Sequence, residues 1–144
     1  CFWAPNRYVM GCVETFSTLR IFSPDLEPSE ITKKLQLQPS KSRTRNLQSK
    51  YRHEREVHAW FLSTEGMLES TASEDHLQHI VTELEGREGS LRDLRENGCK
   101  TSITSYWVGD GQGGPSLSPE LMQALSSLGL SIWWDNYFEA EDDT

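Results

Sequence analysis

The sequence predicts an α+β domain: a mixed four- or five-stranded sheet with helices packed on one face, the ferredoxin-like sandwich being the nearest common architecture. Three observations carry this. Four apolar, alternating stretches read as strands: Glu14–Phe22, Val57–Thr64, Lys100–Val108 and Leu130–Phe138. Apolar stripes at helical spacing lie between them, and helical connections between successive strands favour a single sheet. No repeat or composition break divides the chain.

Taken in order, Cys1–Gly11 has no clean period and reads as part of an irregular leader over residues 1–13. In Glu14–Phe22, Leu19 and Ile21 share one face while Phe16, Arg20 and Phe22 share the other. The turn SPDLEP feeds a short helix, Pro28–Leu35, with Pro28 in its first turn and Ile31 and Leu35 on one side. Segment 36–56 carries Lys41, Arg43, Arg45, Lys50, Arg52 and Arg55 against Glu54 and Glu56, with few apolar residues, Leu47 and Tyr51 among them. That pattern gives an exposed loop, with room for an added edge hairpin. Val57–Thr64 follows as a strand.

Ser73 is a candidate N-cap, with Glu74 and Asp75 in the first turn of a helix whose buried stripe is Leu77, Ile80, Val81 and Leu84. Gly86 and Gly89 interrupt it, and a further turn or two carries Leu91 and Leu94 as far as Asn97-Gly98. Lys100–Val108 is the third strand, and Gly109–Pro115 a flexible connector. The clearest stretch comes last. Ser118 caps a helix, Pro119 takes its first position, and Glu120 complements its dipole. Leu121, Leu125 and Leu128 form the buried stripe, Gly129 closes the helix in the left-handed region, and Leu130–Phe138 follows at once as a strand. The domain thus spans 14–138, and 139–144 is an acidic tail.

A chain of 144 residues with 35% hydrophobic and 25% charged residues is an ordinary globular domain, and five Trp, five Phe and four Tyr disfavour disorder. A formal charge of −8 argues against general nucleic-acid binding, which needs a positive surface, and is compatible with a basic partner. Cys1, Cys12 and Cys99 lack metal-ligand spacing and read as free thiols in a reducing compartment. Without a signal segment or an apolar run of ~20 residues, the cytoplasm is the expected location and no membrane is involved.

Four landmarks fall in a set order: LRIFSPDLEPSEITKKLQLQPS, the basic loop closing on HAWFLST, SEDHLQHIVTELEG, and LSPELMQALSSLGLSIWWDNYF. The whole, from roughly Glu14 to Phe138, resembles the bacterial domain-of-unknown-function family 4279. The resemblance implies a small cytoplasmic α+β domain and no established activity.

Candidate chemistry is sparse. His76 and His79, with Glu83 beyond, have a spacing that zinc can use, but no further ligand completes the shell, and His76 aligns with the core stripe. The loop Gly109–Gly114 precedes a helix as phosphate loops do, yet lacks their pattern and lysine. No catalytic constellation, metal set or cofactor motif is visible. The sheet surface offers more. If helices cover one face, the other gathers Arg20, His58, Trp60, Thr104, Tyr106, Trp133 and Asp135, with Trp60, Tyr106 and Trp133 close together. Such an aromatic surface predicts a cover: the leader with Trp3 and Tyr8, a second copy in a homodimer, or a protein partner. The expected function is a non-enzymatic binding or inhibitory protein of the immunity or regulatory type. One alternative is a small hydrolase or transferase using Asp135, His58 and Arg20. Another is phosphate or nucleic-acid contact through the basic loop, with Lys41, Arg43, Arg45, Arg52 and Arg55 as the grip.

Overall fold

The computed structural model describes residues 11–111 and 113–139. Along the chain these form β1 (Cys12–Ser23), α1 (Pro28–Leu35), β2 (Lys41–Arg43), α2 (Arg52–Glu56), β3 (His58–Ser63), α3 (Ser73–Glu83), α4 (Glu88–Glu96), β4 (Lys100–Gly109), α5 (Pro119–Leu128) and β5 (Ser131–Phe138). The strands make one five-stranded sheet in the order β2-β3-β1-β4-β5. Only β4 and β5 are parallel; the other three neighbours are antiparallel. A parallel neighbour requires a crossover, and α5 supplies it. This mixed α+β sandwich is the predicted class, and its layering is compatible with the ferredoxin-like expectation.

Both predicted helical stripes are buried. Ile31 and Leu35 of α1, Leu77, Ile80 and Val81 of α3, the adjoining Leu84, Leu91 and Leu94 of α4, and Leu121, Leu125 and Leu128 of α5 join Leu19, Ile21 and Ile103 of the sheet in one apolar cluster. Each such Leu or Ile contributes about 1.5–3 kcal/mol by leaving water. The α5 caps are as expected: Ser118 Oγ accepts from the Leu121 N–H, and Gly129 closes the helix at φ 70°. At α3 the N-cap is Ala72 rather than Ser73. Ser73 is turned to the sheet, its hydroxyl 3.0 Å from Thr15 Oγ1, while Ser70 Oγ accepts from the Ala72 N–H and donates to Asp75.

Two arginines hold the helix layer together. Arg87 donates from Nε to the Leu35 carbonyl (2.7 Å) and from Nη1 to the Glu83 carbonyl (2.9 Å), so the ends of α1 and α3 meet on one guanidinium. Arg95 Nη1 donates to the Leu128 carbonyl at the end of α5 (3.1 Å). Cations suit helix C-termini, whose last carbonyls lack partners.

The outcome differs from expectation at the margins. Cys12 and Val13, expected in the leader, are the first residues of β1. The basic segment contains the edge strand β2, paired with β3, and a short helix, α2, that no apolar pattern announces. Phe2, Trp3, Tyr8, Cys1 and the tail residues 140–144 lie outside the described residues. Among those described, no helix is long and apolar enough to cross a membrane.

Candidate functional site

Alternation assigns each strand residue to the helix-covered face or the open one. On β1, Thr15, Ser17, Leu19 and Ile21 are buried beneath the helices, so Phe16, Thr18, Arg20 and Phe22 belong to the open face. Pairing then fixes the neighbours. One row runs Lys41, Phe61, Arg20, Ser102, Ser131; the next runs Ser63, Thr18, Thr104, Trp133; the third is Phe16, Tyr106, Asp135. Beyond Arg20 in the other direction lie Arg43, Ala59, Phe22 and Lys100. Arg20, Thr104, Tyr106, Trp133 and Asp135 therefore share the open face, as the sequence predicts.

His58 and Trp60 do not, and this part of the expectation is corrected. Trp60 pairs with Ile21 on the covered face, is fully buried, and donates from its indole N–H to Thr32 Oγ1 of α1 at 3.0 Å. Its place on the open face is taken by Phe61, edge-on to Phe22 with ring centroids 5.9 Å apart. His58 is 8% exposed on the covered side, and its Nδ1 accepts the Arg45 backbone N–H at 2.9 Å. It holds the basic segment in place and cannot converge with Arg20 and Asp135 across the sheet.

Arg20 is the centre of the open face. Its guanidinium carbon lies 5.6 Å from the Phe22 ring centroid and 5.8 Å from that of Trp133. Trp133 stands two strands away, and the contact is made across β4, where Ser102 and Thr104 are too small to separate them. Arg20 Nη2 donates to Ser102 Oγ at 3.1 Å, while Arg20 Nε and Thr104 Oγ1 are enclosed with no partner. Burial lowers the Arg20 pKa from its ordinary value, yet a guanidinium stays charged at neutral pH. Among the described residues no carboxylate pairs with it. The cation is thus partly desolvated, flanked by two aromatic rings and without a counter-charge.

A second aromatic group borders it. Phe16 and Tyr106 stack at 4.8 Å, and Tyr106 meets Tyr137 at 5.5 Å. The Asp135 charge, and the hydrogen bond its carboxylate accepts from Tyr137, push the Tyr137 hydroxyl up from its ordinary value. Trp133 and Tyr137 remain 66% and 52% exposed. Phe16, Phe22, Phe61 and Tyr137 are the site residues that the sequence reading did not single out. Phe16 and Phe22 share parity with Arg20, and Tyr137 with Asp135, so three of the four were available by that signal.

The basic segment behaves differently. Arg43 pairs with Glu54 (3.1 Å), Arg52 pairs with Glu56 (2.7 Å), Arg55 donates to the Ser49 carbonyl (2.8 Å), and Arg45 Nη1 reaches the Pro24 carbonyl (3.4 Å). Ser49 and Arg43 also hold the Glu54 carboxyl below its ordinary pKa. These four arginines organise their own segment rather than converging on one external point. Each ring nitrogen of His76 is likewise engaged, Nδ1 with Thr64 Oγ1 (2.6 Å) and Nε2 with the Ser70 carbonyl (2.7 Å), and His79 faces Glu83.

No curated protein and no solved structure matches the chain. A family model does, described as Domain of unknown function (DUF4279), and it aligns with residues 13–139, from the start of β1 to the end of β5. With nearly all of the sheet and its helices inside that match, as the order of the landmarks implied, the chain belongs to the DUF4279 family.

Proposed function

We propose that the protein is a non-enzymatic binding protein of the bacterial cytoplasm, of the immunity or regulatory type, which engages a protein partner through its open sheet face. The observation that carries this reading is the unpaired Arg20 guanidinium held between Trp133 and Phe22. A charge moved partly out of water without a counter-charge costs free energy, and a carboxylate brought in by a partner offsets that cost. Trp, Tyr and Arg are the residues that dominate binding hot spots, and here all three types lie side by side. The partner presents a carboxylate to Arg20 and apolar surface to Trp133 and Tyr137.

The enzyme alternative has less support, because His58 lies across the sheet from Arg20 and Asp135. Phosphate or nucleic-acid contact through Arg43, Arg45, Arg52 and Arg55 competes with contacts those side chains already make. A homodimer through the same face is the second reading that the exposed aromatics support.

The test is cross-linked affinity capture from the native cell with wild type, Arg20→Met and Trp133→Asp. A partner retained by wild type and lost by both variants, each with unchanged circular dichroism, is the expected result. Retention by both variants would overturn the assignment to this face. Light scattering separates the homodimer, which Trp133→Asp should dissociate, and steep weakening by salt would mark nucleic acid instead.

A further inference from the structure

At the end of the open face, under α2, lies a pocket of about 440 Å³ lined by Phe22, Pro24, Val57, Gly98, His53, Glu56 and Lys100. We infer that it is a binding site for a small organic anion, a carboxylate carried on a compact apolar body such as an aromatic ring.

Three features of the pocket converge on that ligand. Its walls are apolar: Phe22 supplies a ring, and Pro24 and Val57 supply aliphatic sides. The Phe22 ring is fixed by Phe61 at its edge and by the Arg20 guanidinium, so this floor is formed before any ligand arrives. Rigid, preformed apolar walls with a few polar groups at their rim are the usual form of small-molecule sites.

The rim carries a free ammonium. The Lys100 side chain has no hydrogen bond or ion pair among the described residues, and neither has the His53 side chain, whose ring contact is with Tyr51. The only acidic group in the lining, Glu56, is held by Arg52 at 2.7 Å, an ion pair that also lowers its pKa. The positive Arg20 stands just beyond Phe22. An apolar body lying on Phe22 therefore places its carboxylate toward an unpaired ammonium. An ammonium-bearing ligand would find only the carboxylate that is already paired. Gly98 adds room: its φ of 89° and bare Cα leave Pro24 Cγ as the nearest neighbour, 3.8 Å from where a Cβ would stand.

The pocket shares Phe22 with the proposed docking face, but the inference does not rest on that reading and is tested without it. The ¹⁵N-labelled protein is titrated with phenylacetate and with its uncharged counterpart 2-phenylethanol. Saturable shifts are expected at the amides of Val57, Gly98 and Lys100, with the alcohol about tenfold weaker for want of one charge-assisted contact. Lys100→Met should weaken phenylacetate by a similar factor and leave the alcohol unchanged, whereas Trp133→Asp should change neither. The inference fails if phenylacetate gives no saturable shift or if acid and alcohol bind equally. It also fails if the shifts centre on Trp133 and Tyr137, or if Lys100→Met leaves phenylacetate unaffected. The acid–alcohol comparison uses wild type alone and holds even if a variant folds poorly.

Discussion

The two faces of the sheet are built from the same strands, residue by residue in alternation, and they differ in how fully their enclosed polar groups are matched. Beneath the helices polar atoms are enclosed and matched: Ser17 with Ser105 at 2.7 Å, Thr15 with Ser73 at 3.0 Å, and Thr64 with His76 at 2.6 Å. The Trp107 indole N–H is the exception there. On the open face Arg20 Nε and Thr104 Oγ1 are equally enclosed and have no partner, although both belong to half-exposed residues. Matched polar pairs mark a surface completed by folding. The proposed docking face is the one that leaves enclosed polar groups unmatched beside exposed aromatics.

The comparison breaks first, if it breaks, on the covered face. Leu84→Ala should cost about 2–5 kcal/mol in urea unfolding, since Leu84 is fully buried among helix side chains. A smaller loss would mean that the helix layer yields easily. Gly109→Ala comes next. An added Cβ would stand 2.5 Å from the Trp107 ring, so overpacking of about 1–3 kcal/mol is expected, together with a shifted tryptophan emission. Thr64→Val tests the matched polar pairs directly. It strands the His76 ring nitrogen and the Ser17 N–H, which Thr64 Oγ1 accepts at 3.0 Å, at about 1–3 kcal/mol, while Thr64→Ser should recover most of the loss. On the open face Trp133→Asp should change stability by about 0.5 kcal/mol or less yet abolish partner capture. Trp133→Asp unfolding as readily as Leu84→Ala would erase the distinction between the faces.

The smallest effect is one of pH. Burial raises the Cys12 and Cys99 thiols above their ordinary value. Folded protein therefore holds these protons more tightly than unfolded protein does. The stabilisation is complete below the ordinary thiol value and is lost as pH rises through the raised one. The urea midpoint should fall in mildly alkaline solution, and Cys99→Ala should make that fall shallower.

Most of the fold was legible because local signals agreed: Ser118 and Gly129 bracket α5, and both leucine stripes fix which side of each helix is buried. The parity of β3 was not legible. Trp60 and Phe61 are adjacent, both large and aromatic, and alternation alone gives no reason to bury one rather than the other. What decides is Thr32, 28 residues earlier on α1, whose hydroxyl accepts the Trp60 indole N–H. α2 was hidden for a related reason. RHERE buries nothing and is held by the Arg52–Glu56 and Arg43–Glu54 pairs and by the Asn46 N–H to the Glu54 carbonyl, contacts with no periodic signature. The site was half legible: Arg20, Trp133 and Asp135 followed from alternation, but the meeting of Arg20 with Trp133 across Ser102 and Thr104 required knowing that β4 lies between β1 and β5.

Arg87 and Arg95 have a consequence for how the molecule opens. Each takes a carbonyl from the last turn of another helix, so α1, α3 and α5 all end on side chains carried by α4 or by the residue just before it. Fraying normally begins at such ends, where carbonyls lack partners. Here fraying must release a guanidinium that also serves a second element: Arg87 joins the ends of α1 and α3, and Arg95 joins the end of α5 to Thr101 of β4. Amide protons in the final turns of these helices should therefore exchange with solvent together, as one cooperative unit, rather than helix by helix. The short α4, the least apolar member of the layer by sequence, acts as the keystone that sets when the whole layer lets go.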